Sequence, residues 1–218
     1  MILCDIGNTT FHFKTKKNDF KISIKENLKS LSNYKNQIYF ISVNDKATKK
    51  LLKKYPKAIN LKDMIIFNTK YIGMGIDRKV VCSYINNAIL VDIGSAITVD
   101  VMKKSKHKGG FILPGIRAYT KIYPQISKKL SFQFSNNINL DKIPLRTNDA
   151  INYAILNSIV APILKVSREY KLPIYFTGED SKLILKYFKN FDIKYEKDLI
   201  FKSMTKIIKN NKHKKRGK

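Results

Sequence analysis

Residues 2–7 read ILCDIG and residues 89–94 read ILVDIG, so five of six positions agree across a gap of 87 residues. In each copy a short apolar run ends in Asp-Ile-Gly, and small hydroxyl or amide residues follow. A second β-rich run then begins, TFHF at 10–13 and ITVDV at 97–101. Each copy reads as strand, tight turn, strand, with the Asp at the turn. Chance likeness between two buried strands accounts for the shared Ile and Leu, but not for Asp-Ile-Gly at the same place. A duplicated unit accounts for both. A chain of 218 residues is long enough for two such units, each with a core.

Hydrophobic patterning fits a duplicated α/β protein. The first lobe, 1–86, shows strands near 1–4, 10–14, 20–24 and 37–43 and a helix near 46–54. Beyond the apolar stretch 64–67 lies the loop YIGMGIDR, then a short helix near 79–85. The second lobe, 87–208, shows strands near 88–92, 97–102 and 110–113, with a helix starting near 116 after Pro-Gly. Isoleucines at 151, 155, 159 and 163 predict a long helix over 148–167, then a strand at 174–177 and a helix over 181–188. Strand-rich starts followed by helices, done twice, predict two lobes around a cleft.

Lys and Arg number 43 against 16 acids, a formal charge of +27. Such a field attracts polyanions. Only five of the basic residues are arginines, however, and base-edge readers favour the arginine fork. A specific nucleic-acid partner is therefore not expected. The densest cluster, 209–218, carries six positive charges and no acid, and reads as a disordered basic tail. Cys4 and Cys82 make neither a disulfide framework nor a CxxC metal pattern. No uninterrupted apolar run of about 18 residues predicts a membrane span. The start, MILCDIGNTT, lacks the pattern of a secretory signal. The expected address is the cytoplasm.

Eight of nine glycines lie at candidate turns, and Gly217 lies in the basic cluster. Glycine permits positive φ and lets a phosphate approach backbone amides. Asp5, Asp77, Asp92 and Asp100 sit in or beside apolar or glycine-rich stretches, where a carboxylate must be paired, hydrogen-bonded or cation-bound. Each alone fits an Asx-turn or a cap. As a set facing one cleft they fit a metal–nucleotide site, one holding a cation and another acting as general base.

Taken in order, these motifs carry a family resemblance: DIGNT at 5–9, Y-x-G-x-G-x-D-R at 71–78, D-x-G-x-A-x-T-x-D at 92–100, G-G-x-I-x-P-G at 109–115, T-x-x-A at 147–150 and T-G at 177–178. The chain resembles the type III pantothenate kinases, of the acetate and sugar kinase, heat-shock chaperone and actin superfamily. The resemblance implies two duplicated ribonuclease H-like (actin-like ATPase) lobes and ATP-dependent phosphorylation of pantothenate, the first step of coenzyme A synthesis. It implies ATP, Mg2+ and a monovalent cation (potassium or ammonium), and a homodimer.

By position, the resemblance gives the first phosphate loop to Asp5, Ile6, Gly7, Asn8, Thr9, Thr10, Phe11 and His12, with Asp5 orienting the cation. Ser95 touches ATP phosphate, and Asp92 binds the monovalent cation. Asp77 is the general base. Tyr71, Gly75, Ile76, Asp77, Arg78 and Thr147 line the pantothenate site.

The chain departs from the family pattern at Ser95, at Ala154 where a glycine is usual, and at Gly178–Glu179 where a Gly-Gly pair is usual. No direct role is expected for His12 as a lone histidine, and His107 and His213 fall in lysine-rich loops without metal spacing. Two alternatives stand beside the kinase: another kinase or phosphatase of the superfamily, and a basic regulator that keeps the fold and binds nucleic acid.

Overall fold

The computed structural model describes residues 1–28 and 36–216. The last two positions of the expected basic tail, Gly217 among them, lie outside the described residues. The chain forms two compact units, 1–84 with 198–218, and 85–197.

In the first unit, β1 (Ile2–Ile6), β2 (Thr10–Lys14), β3 (Asp19–Ser23), β4 (Ile38–Ser42) and β5 (Ile59–Asn60) form one sheet in the order β3-β2-β1-β4-β5. β1 pairs antiparallel with β2, which pairs antiparallel with β3, while β1–β4 and β4–β5 are parallel. Apolar residues cover β1 on both sides, as a central strand requires. Ile2, Cys4 and Ile6 enter one core with Phe11, Phe13 and Phe40, while Leu3 enters another with Ile41, Leu61 and Val80. Helix α1 (Asp45–Lys54) begins where the Asn44 side chain accepts the Ala47 amide at 3.0 Å, and buries Ala47 and Leu51. Helix α2 (Ile76–Tyr84) follows the glycine loop.

In the second unit, β6 (Ala88–Ile93), β7 (Ala96–Lys103), β8 (Lys106–Pro114), β9 (Ile174–Thr177) and β10 (Ile193–Tyr195) take the order β10-β9-β6-β7-β8. Read from the other edge, this is the first sheet again: three antiparallel strands, then two parallel ones. The duplicated α/β fold expected from the repeat is present. Helix α3 (Ile116–Ile126) follows β8, and α4 (Thr147–Tyr170) precedes β9.

By length and composition α4 could cross a membrane, although its sequence has no unbroken apolar run. Its Ile151, Ile155, Ile159 and Ile163 instead pack in the core against the sheet. Buried Asn152 is satisfied by Ser135 N–H at 2.9 Å and the carbonyls of Gln133 and Asn148.

Three expectations are corrected. The helix expected over 181–188 is two 3₁₀ turns, Glu179–Leu183 and Leu185–Phe188. There the Ser181 hydroxyl bonds back to the Thr177 carbonyl, a local alternative to α-helical pairing. Residues 209–216 continue helix α5 (Leu199–Arg216) rather than forming a disordered tail. The run of lysines hides an apolar face of Phe201, Met204, Ile207 and Ile208 that packs on Leu3, Ile41, Leu61 and Val80. By contacts, 198–218 belongs with the first unit, so the second ends near 197 and not 208.

Candidate active site

The first Asp-Gly motif is the β1–β2 hairpin. Its ends are closed by the Gly7 amide donating to the Thr10 carbonyl at 3.0 Å. Ile6 and Phe11 face each other across the register and are fully buried, so they offer a ligand backbone atoms only. Asn8 and Thr9 are exposed at the tip. Asp5 and His12 are paired in register and lie on the opposite face from Ile6 and Phe11.

His12 is engaged from the side. Its Nε2 lies 2.6 Å from Asp19 Oδ1 on β3, and its ring meets Phe201 of α5 edge-on at 4.7 Å. Lys14 lies 3.1 Å from Asp19 and 2.6 Å from Asp198. Burial works against the Lys14 charge, but the hydrogen bonds to Asp198 and Asp19 outweigh it and raise its pKa. Burial likewise opposes ionisation of Asp19, but hydrogen bonds to His12 and Lys14 prevail and lower its pKa. Lys14, Asp19, Asp198 and Phe201 escaped sequence reasoning. Two lie near the start of the chain and two near its end, and only the fold brings the two pairs together.

The second motif is the β6–β7 hairpin, closed by the Gly94 amide on the Ala96 carbonyl at 3.0 Å. Asp92 pairs in register with Thr98, and both Asp92 and Ser95 are exposed. Two glycines from elsewhere in the unit press on this turn. A Cβ at Gly115, where α3 begins, would collide with the Gly94 and Ser95 carbonyls. Gly178 has φ +91°, and a Cβ there would collide with the Ile93 carbonyl and the Asp92 carboxylate.

Gly7 and Gly94 behave differently. Neither has positive φ, and an added Cβ would meet nothing closer than 3.8 Å at Gly7 or 3.9 Å at Gly94. Internal packing therefore does not demand glycine at the positions the two motifs share.

The glycine loop leads into α2, where Asp77 occupies the first turn and its Oδ1 accepts the Arg78 amide at 2.8 Å. Arg78 is buried, and its guanidinium stacks on the Tyr71 ring at 4.6 Å. Gly75 and Ile76 lead directly into this turn, and the Gly75 carbonyl accepts the Lys79 amide. Thr147 is the exposed first residue of α4. Asp5 with His12, Asp92 with Ser95, and Asp77 with Arg78 and Tyr71 are thus three local groupings, the last two at turn or helix starts.

Asp100, the fourth acid of that set, is paired with a histidine. It is buried on β7 and bonded to His107 Nε2 at 2.8 Å. His107 lies on β8 with a buried side chain, not in an exposed loop.

The sequence profile of the type III pantothenate kinases matches residues 1–169. A type III pantothenate kinase from Helicobacter hepaticus is 40% identical over 208 residues, covering 95% of this chain and 98% of the relative. A crystal structure from Campylobacter jejuni, described as a conserved Baf family transcriptional activator, superposes with TM-score 0.83 at 39% identity, covering 98% of this chain and 100% of that one. A Sinorhizobium meliloti protein described as a 2-dehydro-3-deoxygalactonokinase shares the fold, with TM-score 0.60 at 7% identity and 96% coverage of each chain. Sequence profile, full-length similarity and fold agree, and the chain belongs to the type III pantothenate kinase family.

Proposed function

We propose that the chain phosphorylates the terminal hydroxyl of pantothenate with ATP, the first step of coenzyme A synthesis. The observation that carries this reading is the start of α2, where Asp77 holds its carboxylate at the helix N-terminus beside the Arg78–Tyr71 stack. Family membership supports it. The hydroxyl oxygen attacks the γ-phosphorus, the bond to the β,γ-bridging oxygen breaks, and ADP departs. Asp77 accepts the hydroxyl proton. Arg78 and Tyr71, with Gly75, Ile76 and Thr147, hold the substrate, and the guanidinium faces its carboxylate.

For ATP we propose the backbone amides of residues 5–12, with Ser95 on the phosphates. Gly7 and Gly94 support this assignment, because a glycine that neither φ nor internal packing requires leaves room for an approaching phosphate. The donor set fits hard cations. Asp5 is partly exposed and Asp92 exposed, and carboxylate oxygens suit Mg2+ and potassium alike. Asp5 would orient Mg2+ and Asp92 would hold the monovalent cation. The bound Mg2+ supplies charge neutralisation on the phosphates.

We also propose a homodimer working in the cytoplasm. Membership of the family supports the dimer.

A coupled ADP-release assay tests the reading. Turnover should require pantothenate and rise when potassium replaces sodium. Asp77→Asn should lower kcat by at least about 100-fold with an unchanged circular dichroism spectrum. No pantothenate-dependent ADP release from the folded wild-type chain would overturn it. The second reading, a nucleic-acid-binding regulator, is favoured by the description given to the Campylobacter jejuni structure and by the charge of +27. DNA affinity falling steeply with salt, without kinase turnover, is its signature.

A further inference from the structure

The outer flank of the first hairpin is held by side chains. β3 is the last strand on that side of the sheet, and β2 is gripped from the face of the sheet on which α5 packs. Lys14 of β2 reaches Asp198 at 2.6 Å and Asp19 at 3.1 Å. Asp19 in turn holds His12 at 2.6 Å, the residue opposite Asp5 in register. Phe201 stands edge-on to the His12 ring, with Lys14 Nζ 5.7 Å from its ring centre.

Helix α5 is itself fixed. Phe201, Met204, Ile207 and Ile208 are buried against the sheet, and the Asp198 carbonyl accepts the Lys202 amide at the first turn. Asp198 is thus a post on a rigid element, tied through a short charge-assisted bond to the strand that carries residues 10–12.

We propose that Asp198 is a positioning residue for nucleotide binding: through Lys14, and through the Asp19–His12 pair that shares it, α5 sets the pose of the β1–β2 hairpin. The inference rests on reading residues 5–12 as the ATP loop. Asp198 touches neither substrate in this scheme and acts only through the hairpin.

The test uses the full chain with Asp198→Ala, Asp198→Asn and Asp198→Glu. For Asp198→Ala, KM for ATP should rise about tenfold, while kcat and KM for pantothenate stay within about twofold. Asp198→Glu should restore most of the ATP affinity, with Asp198→Asn between the two. By hydrogen exchange, amides of residues 7–14 should exchange faster in Asp198→Ala, and those of β6 and β7 should not change. Unaltered exchange over 7–14, or equal rises in both KM values, would overturn the proposal. If the wild-type chain shows no pantothenate-dependent turnover, the functional reading fails separately, and the exchange comparison still decides whether Asp198 holds the hairpin.

Discussion

The two Asp-Gly hairpins occupy equivalent places in sheets of the same strand order, yet they are braced by different physics. The β6–β7 turn is wedged by backbone: Gly115 and Gly178 approach so closely that neither position has room for a side chain. The β1–β2 hairpin is braced by charge, with Lys14, Asp19, His12 and Asp198 along its flank. Duplication supplied the strands and the turns, and each unit acquired its own buttress. Steric contact is short-ranged and indifferent to salt, whereas ion pairs weaken with salt and with pH. One fold therefore holds two equivalent turns with different sensitivities.

The largest effect expected from this contrast is at Gly178. Gly178→Ala forces a side chain into positive φ and into the Ile93 carbonyl, and should cost about 3 kcal/mol. Denaturant melts should give the same loss at low and at high salt, and a loss that shrinks with salt would break the comparison.

Lys14→Met comes next, at about 1 kcal/mol in low salt and less in 1 M NaCl. Its pH dependence follows from the two shifts. Asp19 is depressed in the folded state, so its contribution is present above the ordinary carboxylate value, about 4, and is lost as pH falls through the lowered one. Lys14 is raised, so its contribution is present below about 10.5 and is lost as pH rises through the higher value. The gap between wild type and Lys14→Met should be flat from about pH 5 to 10 and close at both extremes. A gap that persists at pH 2 would mean that packing of the lysine stem, not charge, supports the hairpin.

Smallest in stability are Gly7→Ala and Gly94→Ala, each within about 1 kcal/mol of wild type. Both should nevertheless raise KM for ATP by about tenfold, because the added methyl stands where a phosphate would approach. Isothermal titration with a non-hydrolysable ATP analogue would check this, and unchanged affinity would remove the reason offered for those glycines.

Periodicity carried much of this into view from the sequence. The echo of ILCDIG gave both hairpins and, through them, the repeated topology. The spacing of Ile151, Ile155, Ile159 and Ile163 gave α4. Segments whose pattern is short or masked were lost. β5 has two residues and β10 three, too few for alternation to register. The apolar face of α5 is diluted by lysines on every turn.

At the site, Asp5, Asp77 and Asp92 stood out because acids are scarce in this chain. Asp100 stood out for the same reason and proved to be the partner of His107. The brace on the first hairpin was invisible, since no local pattern links Lys14 to Asp198.

Helix α5 also sets an order of events during synthesis. The first unit is closed by residues made after the whole of the second. Until 198–216 emerge from the ribosome, Leu3, Ile41, Leu61 and Val80 lack the cover of α5. A nascent chain halted at 197 would present that apolar surface to chaperones or to other copies of itself, while the second unit already has every strand of its sheet.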